Sequence, residues 1–191
     1  MGTTDKQISE LLSGTSEYWN EENSNKDAKV VTTLRDYMAG IISTDMCRKY
    51  MFSPEIVQAH DSGIIHIHDM DYRIMPITNC CLINLEDMLQ NGTVINGVRI
   101  DKPHRLSTAT TIATQVITSV TSCQYGGTTI TLTHLAPFVR DSYNLYLNKY
   151  KEYGLSDRNA KNLANLDLKK EISDSVQTFN YQINSMNTTN G

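Results

Sequence analysis

The sequence is poor in cysteine, and its cysteines form no C-x-x-C pair. The four are Cys47, Cys80, Cys81 and Cys123, in a chain of 191 residues. Without that spacing the sequence gives no support for a zinc knuckle. The chain is also too long and too helical for the small secreted class that disulfides hold together. We therefore expect reduced thiols and assign no metal ligands among the cysteines.

The sequence also lacks an excess of positive charge and any long apolar run. Its 17 Lys and Arg are outnumbered by 21 Asp and Glu, which gives a formal net charge of −4. A nucleic-acid-binding surface needs a basic patch, and a membrane span needs roughly 18 or more consecutive apolar residues. The N-terminus, MGTTDKQISELL, lacks the basic-then-apolar pattern of a secretory signal. We expect a cytoplasmic protein with no membrane partner and no direct nucleic-acid partner.

Helical periodicity covers much of the chain, which is long enough for one domain with a real core. A polar lead-in over residues 1–28 precedes the first strong pattern. Apolar residues then recur at helical spacing in five segments, which are residues 28–50, 54–63, 107–123, 135–153 and 157 onward. The last of these carries a heptad-like stripe over residues 172–186, which could pack on another long helix or into one globular core.

Two segments near the middle of the chain have the character of strands. The alternation in 64–68 predicts a strand with His66 and His68 on one face. The mostly apolar run 77–85 predicts a buried strand, on which Cys80 and Cys81 point to opposite faces. The Asn-Gly step at 96–97 predicts a hairpin with a type I′ turn.

The segment 107–127 has two further features. The helical part has an uncharged second face of Thr, Ser and Gln, which is unusual for a solvent face and suggests a contact with another subunit or a polar ligand. The glycine pair Gly126-Gly127 then permits tight turning and close backbone approach.

Three chemistries are open for the reactive side chains between residues 64 and 85. The His-x-His step could bind a metal ion, with Asp69 or Asp71 as a third ligand. A cysteine paired with a histidine could act as a hydrolytic nucleophile. A thiol on a rigid strand, Cys80, could instead donate a hydrogen or a proton in redox or radical chemistry.

Four segments resemble the large subunit of the anaerobic (class III) ribonucleoside-triphosphate reductases. They are IHIHDMDY, MPITNCCLINLEDMLQNGTVINGVRIDKP, STATTIATQVITSVTSCQYGGTT and LAPFVRDSY, and they follow one another between Ser53 and Tyr143. Several long motifs in the right order make a chance match very improbable.

The resemblance implies a fold, a reaction and a set of partners. The fold class would be α/β, with residues 29–191 a mostly helical first part of a ten-stranded barrel. The reaction would replace the 2′-hydroxyl of a ribonucleoside triphosphate with hydrogen. A glycyl radical, made by an activase that contains an iron–sulfur centre and uses S-adenosylmethionine, would generate a thiyl radical on a finger-loop cysteine. That thiyl would take the 3′-hydrogen, and formate would be the reductant. A deoxynucleotide effector and a homodimer would complete the assembly.

The resemblance also implies roles for particular residues. Cys80 would be the strand thiol that helps to expel the 2′-hydroxyl as water, and Cys81 would be its packing neighbour. His66, Thr78 and Asn79 would contact the substrate. Asp101 and Gln115 would contact the effector, and the uncharged face of the helix 107–123 would pair the subunits.

Several expected parts of such an enzyme are absent from the sequence. It has no glycyl-radical loop, no finger-loop cysteine in a matching context, no C-terminal zinc-binding cysteines and no N-terminal nucleotide-binding cone. We therefore expect a fragment that needs the missing part, including its zinc site, and that is inactive alone. The alternative is a non-catalytic module that binds the nucleotide effector or forms dimers.

Overall fold

The computed structural model describes residues 3–20, 27–124 and 126–186, so residues 21–26 of the predicted lead-in lie outside it. These ranges are mostly helical, as the sequence predicts. The α-helices are α1 (Thr3–Ser13), α2 (Val31–Met46), α3 (Pro54–Asp61), α4 (Leu85–Asn91), α5 (Leu106–Thr121), α6 (Ala136–Glu152) and α7 (Asp157–Asn184). The strands are β1 (Cys81–Leu82), β2 (Thr93–Ile95), β3 (Val98–Ile100) and β4 (Thr128–Thr129).

The strands form two small sheets. In one, β1 and β4 are parallel, with Cys81 opposite Thr128 and Leu82 opposite Thr129. In the other, β2 and β3 form the predicted antiparallel hairpin. Asn96 and Gly97 have φ of 51° and 79°, the positive values that a type I′ turn requires of both central residues.

The chain divides into two compact units. Unit 1 contains the described residues 3–20, 27–79, 123–124 and 126–127. Unit 2 contains residues 80–122 and 128–186. Among the described residues, no helix has both the length and the apolar character that crossing a membrane requires.

Unit 1 is built on the packing of α1 against α2. Leu11 of α1 is fully buried in a cluster with Tyr37 and Ile41 of α2. The Trp19 indole closes this cluster, because its Nε1 donates a hydrogen bond to the Leu11 carbonyl at 2.8 Å. The Tyr18 ring stacks on Tyr37 with 4.5 Å between centroids. The described part of the lead-in therefore contributes apolar side chains to a core.

Unit 2 is built around the apolar face of α5. Ala109 and Ala113 are completely buried, and Phe138 of α6 and Leu89 of α4 lie in the same cluster. Small residues on α5 let the neighbouring helices approach closely. The stripe on α7 is divided between two environments. Phe179, Ile183 and Met186 pack against this core, whereas Ile172 and Val176 are exposed.

The predicted strand at residues 64–68 is wrong. The carbonyl of Ala59 accepts hydrogen bonds from the backbone N–H groups of Ile64, at 2.9 Å, and Ile65, at 3.3 Å. Gly63, with φ of 76°, turns the chain at the end of α3 and makes these bonds possible. Since the N–H groups are used locally, the segment is a turn and an extended loop.

The predicted strand at 77–85 is much shorter than expected. Only Cys81–Leu82 is a strand, and Thr78 forms an isolated bridge with Gln124. The run ends early because Leu85 begins α4, where the Asn84 side chain accepts a hydrogen bond from the Asp87 backbone at 3.3 Å. An N-cap of this kind starts a helix inside a run that is mostly apolar.

Candidate functional site

Cys80 and Cys81 have different environments, as alternation along an extended chain predicts. Cys80 is exposed, whereas Cys81 is half-buried and packs against the core of unit 2. Neither thiol forms a disulfide. A side chain at the position of Cys80 can therefore reach a bound molecule, and Cys81 serves packing.

Thr78 and Asn79 are held by the segment after α5. The backbone N–H of Thr78 donates to the Cys123 carbonyl at 3.2 Å, and its hydroxyl donates to the same oxygen at 3.3 Å. The Asn79 carbonyl accepts from the Gln124 side-chain amide at 2.9 Å and from the Gly126 backbone at 3.2 Å. The two residues before Cys80 are thus fixed through their main chain.

His66 belongs to a cluster of three histidine rings in unit 1. Its ring centroid lies 5.5 Å from that of His60 and 5.9 Å from that of His68. His60 fixes the loop, because its Nδ1 accepts a hydrogen bond from the Ile67 backbone at 3.2 Å. His68 Nδ1 lies 2.6 Å from Asp69 Oδ1, and Asp69 has a left-handed backbone with φ of 57°.

Helix α2 anchors the residues that follow the histidines. The buried Ser43 hydroxyl donates to the Met70 carbonyl at 2.8 Å and accepts from the Ile74 backbone at 3.3 Å. A side chain at Gly40 would place a Cβ 3.3 Å from the Cβ of Asp71, so glycine permits this close approach. The histidine loop is therefore tied down at its C-terminal end.

The described residues contain no group of three or more His, Cys, Asp or Glu side chains arranged to hold a metal ion. His66 and His68 stand edge to face, with an interplanar angle of 88°. The structure thus provides no ligand set for the metal-binding interpretation of the His-x-His step.

The two predicted effector residues lie on exposed parts of unit 2. Asp101 follows β3, and its carboxylate lies 3.6 Å from the Arg99 guanidinium with 90% of its side chain exposed. Gln115 is exposed on α5, between the buried Thr114 and Val116.

Part of the uncharged face of α5 is covered by α7, which the sequence did not indicate. Thr114 donates its hydroxyl hydrogen to the Gln182 side chain of α7. The Ser107 backbone N–H donates to the Glu171 carboxylate at 3.1 Å. Thr108, Gln115 and Ser122 remain exposed, and they are the portion of this face open to another molecule.

A polar cavity of about 390 Å³ lies beside the start of α5 and was missed by sequence reasoning. Arg105 spans it, with Nε 3.1 Å from Glu171 Oε1 and Nη2 2.8 Å from the Tyr146 hydroxyl. Burial raises the pKa of Glu171, but hydrogen bonds from Arg105 and Ser107 outweigh this and leave the pKa below its ordinary value. The sequence contained one signal. Glu171 follows Ala160 and Ala164 at helical spacing, so it lies on the same buried face of α7 as these two alanines.

Comparison with known proteins assigns the family. The family model described as anaerobic ribonucleoside-triphosphate reductase matches residues 22–191. The chain is 39% identical over 193 residues to the anaerobic ribonucleoside-triphosphate reductase of Escherichia coli (strain K12), covering 100% of this chain and 27% of that protein. It is 38% identical over 192 residues to that of Enterobacteria phage T4, covering 99% of this chain and 31% of that protein. The relative from Haemophilus influenzae is 36% identical over 189 residues, with 97% and 26% covered. The chain therefore spans only about a quarter to a third of the length of these relatives, and it belongs to the anaerobic ribonucleoside-triphosphate reductase family.

Proposed function

We propose that this chain is the part of an anaerobic ribonucleoside-triphosphate reductase that carries the thiol beside the substrate's 2′-hydroxyl, and that Cys80 is this thiol. The observation that carries the proposal is the exposure of Cys80 between two fixed neighbours. Asn79 before it is held through its carbonyl, and Cys81 after it is paired in β1. Such a site holds a reactive group with little freedom of its backbone.

The proposed reaction replaces the 2′-hydroxyl of a ribonucleoside triphosphate with hydrogen and releases water. Cys80 would supply the hydrogen that leaves with the hydroxyl oxygen, and formate would supply the two electrons of the reduction. A glycyl radical, generated by an iron–sulfur activase that uses S-adenosylmethionine, would start the reaction. His66, Thr78 and Asn79 would line the substrate, His66 through its imidazole and the other two through their polar groups.

We propose that turnover requires the segments that the relatives have and this chain does not cover, including the rest of the ten-stranded barrel. The chain aligns with 27% of the Escherichia coli relative and 31% of the phage T4 relative. The described residues offer no metal ligand set, so we assign any zinc site of the complete reductase to those other segments. We also place the assembly in the cytoplasm.

The proposal is tested in a chimera in which residues 1–191 replace the aligned segment of the phage T4 relative. The chimera is activated anaerobically and supplied with formate and a ribonucleoside triphosphate, and deoxynucleotide formation is measured. We expect Cys80→Ser to abolish turnover and the matched variant Cys81→Ser to retain it. A folded wild-type chimera without turnover, or an active Cys80→Ser chimera, would refute the proposal.

A second candidate function is a non-catalytic module that binds a deoxynucleotide effector or pairs subunits. The exposed, uncharged side chains of Thr108 and Gln115 on α5, and of Ser122 directly after it, favour this candidate, because solvent-facing helix surfaces are usually charged. Asp101 on the neighbouring hairpin would contribute a carboxylate to the same effector.

Titration calorimetry with deoxynucleoside triphosphates tests this second function on the 191-residue chain. We expect Gln115→Ala and Asp101→Ala to weaken binding, and the control Gln58→Ala, an exposed glutamine on α3, to leave it unchanged. Cys80→Ser separates the two functions, since it should abolish turnover of the chimera and leave effector binding intact. Absence of deoxynucleotide binding by the wild-type chain would remove effector binding from this candidate and leave only subunit pairing.

A further inference from the structure

We propose that Gln124 and Gly126 are positioning residues for the Cys80 thiol, because together they fix the peptide bond between Asn79 and Cys80. This inference rests on the reductase role proposed above and adds two residues to it. Neither residue would touch the substrate. Both would act through the backbone that carries Cys80.

Gln124 is a buried polar side chain with a specific partner. It is only 1% exposed, and its Nε2 donates to the Asn79 carbonyl oxygen at 2.9 Å. Its main chain also forms a parallel bridge with Thr78. Burying an amide costs free energy unless it is hydrogen-bonded. The hydrogen bond to the Asn79 carbonyl offsets part of that cost.

Gly126 provides the second donor and the space for it. Its backbone N–H donates to the same Asn79 carbonyl at 3.2 Å. A Cβ at this position would lie 2.3 Å from Asn79 Oδ1 and 2.9 Å from the Asn79 carbonyl carbon and oxygen. The side-chain oxygen could turn away, but the carbonyl could not move without shifting the peptide. Only glycine allows the two segments to lie this close together.

The carbonyl that these two donors hold belongs to the peptide whose nitrogen is that of Cys80. Two hydrogen bonds to one oxygen restrict rotation of the peptide plane, and the direction of the Cys80 Cα–Cβ bond depends on that plane. Hydrogen transfer to a departing hydroxyl requires close alignment of the reacting atoms. A displacement of about 1 Å can cost about 100-fold in rate.

The hydrogen bond itself can be observed through one NMR signal. The chain contains a single Asn-Cys step, at Asn79 and Cys80. Labelling asparagine with ¹³C at the carbonyl and cysteine with ¹⁵N therefore gives one carbonyl–amide correlation peak, from this peptide alone. We expect Gln124→Met to move the ¹³C shift of this peak upfield, because the carbonyl loses a donor.

A pH titration of Gln124→Glu distinguishes lost donation from general disturbance. A carboxylate cannot donate to the Asn79 carbonyl, whereas a protonated carboxyl group can. The peak of Gln124→Glu should return towards the wild-type position as the pH falls, and the peak of Gln124→Met should stay displaced. A structural role without this hydrogen bond would give the same pH response in both variants.

The functional half of the proposal is measured in the phage T4 chimera. We expect Gln124→Met and Gly126→Ala each to lower kcat about 10- to 100-fold, because the thiol is misplaced. KM should rise by a smaller factor, because the substrate-lining Asn79 belongs to the same peptide. Gly127→Ala is the matched control, since a Cβ at Gly127 meets nothing within 4 Å. It should retain wild-type kcat.

The outcomes separate this inference from the reductase assignment. If Cys80→Ser keeps its turnover, the reductase role of Cys80 fails, and the NMR peak still reports whether Gln124 holds the peptide. If Cys80→Ser is inactive but Gln124→Met and Gly126→Ala keep wild-type kcat, the positioning role is overturned. An unmoved peak in Gln124→Met overturns it as well.

Discussion

Replacing Arg105 with methionine tests an ion pair of unit 2 whose carboxylate is buried. The Glu171 side chain is 5% exposed and that of Arg105 is 45% exposed. The substitution leaves the carboxylate in place with the Ser107 N–H, 3.1 Å away, but without the guanidinium. Removing one partner of a fully buried pair costs about 3–5 kcal/mol. Because solvent reaches almost half of Arg105, we expect a smaller loss of unfolding free energy, about 2–3 kcal/mol at pH 7.

The loss should depend on pH with a defined sign. In the wild type the folded pKa of Glu171 is below its ordinary value of 4.5, so its stabilisation is present above about pH 4.5 and is lost as the pH falls through the folded pKa. In Arg105→Met, the guanidinium no longer lowers the pKa of Glu171, so this pKa lies above its wild-type value while the hydrogen bond from Ser107 remains. The folded variant therefore takes up a proton at a higher pH than the folded wild type. The difference between the two proteins should therefore shrink as the pH falls.

Urea unfolding followed by far-UV circular dichroism measures both effects. Fluorescence of Trp19 is unsuitable, because this tryptophan lies in unit 1. Lys170→Met is the matched control, since Lys170 forms an exposed pair with Asp174 and should cost at most about 0.5 kcal/mol. An Arg105→Met protein within about 0.5 kcal/mol of wild type at pH 7, or a difference that grows on acidification, would refute this reasoning.

Three further changes test the elements around the candidate site. Ser43→Ala removes one donor and one acceptor from the loop after the histidines, and should lower the unfolding free energy by about 1–3 kcal/mol in urea titrations; an unchanged midpoint would contradict the anchoring role. His60→Leu should speed hydrogen exchange of the Ile67 amide, whereas His60→Asn, which keeps an acceptor near the Nδ1 position, should preserve its protection. Equal exchange rates in the two variants would show that this hydrogen bond does not protect the amide. Gly97→Ala makes a residue with a Cβ adopt a φ of 79° and should lower the unfolding free energy by about 1–2 kcal/mol, whereas the control Gly127→Ala should have little effect. Equal stability of the two variants would contradict the expected strain in the turn.

The sequence predicted the elements whose signals are local. The segment 107–123 has its apolar residues on one helical face, and α5 occupies Leu106–Thr121. The Asn-Gly turn at residues 96–97 formed the predicted hairpin, because the positive φ values it requires are a property of these two residues. The different environments of Cys80 and Cys81 followed from alternation alone.

The errors arose where the structure depends on a distant partner. Alternating Ile and His at 64–68 resembles a strand, but a strand needs another backbone to pair with, and Ala59 had already taken two of the N–H groups. The hydrogen bond from Gln124 was equally invisible, because its partner Asn79 lies 45 residues away along the chain. Glu171 was overlooked because charged residues on a long helix are usually solvated. The close approach at Gly126 was the one part of this region that the glycine pair indicated in advance.

The most direct test of the central claim is the reactivity of Cys80 towards iodoacetamide in the phage T4 chimera. The rate of modification is measured by mass spectrometry, with and without a ribonucleoside triphosphate, and the exposed Cys123 serves as a control within the same molecule. If Cys80 faces the substrate, nucleotide at 100 times its Kd should slow modification of Cys80 about 100-fold and leave Cys123 unchanged. Equal modification of Cys80 with and without nucleotide would contradict the assignment of Cys80 to the substrate site.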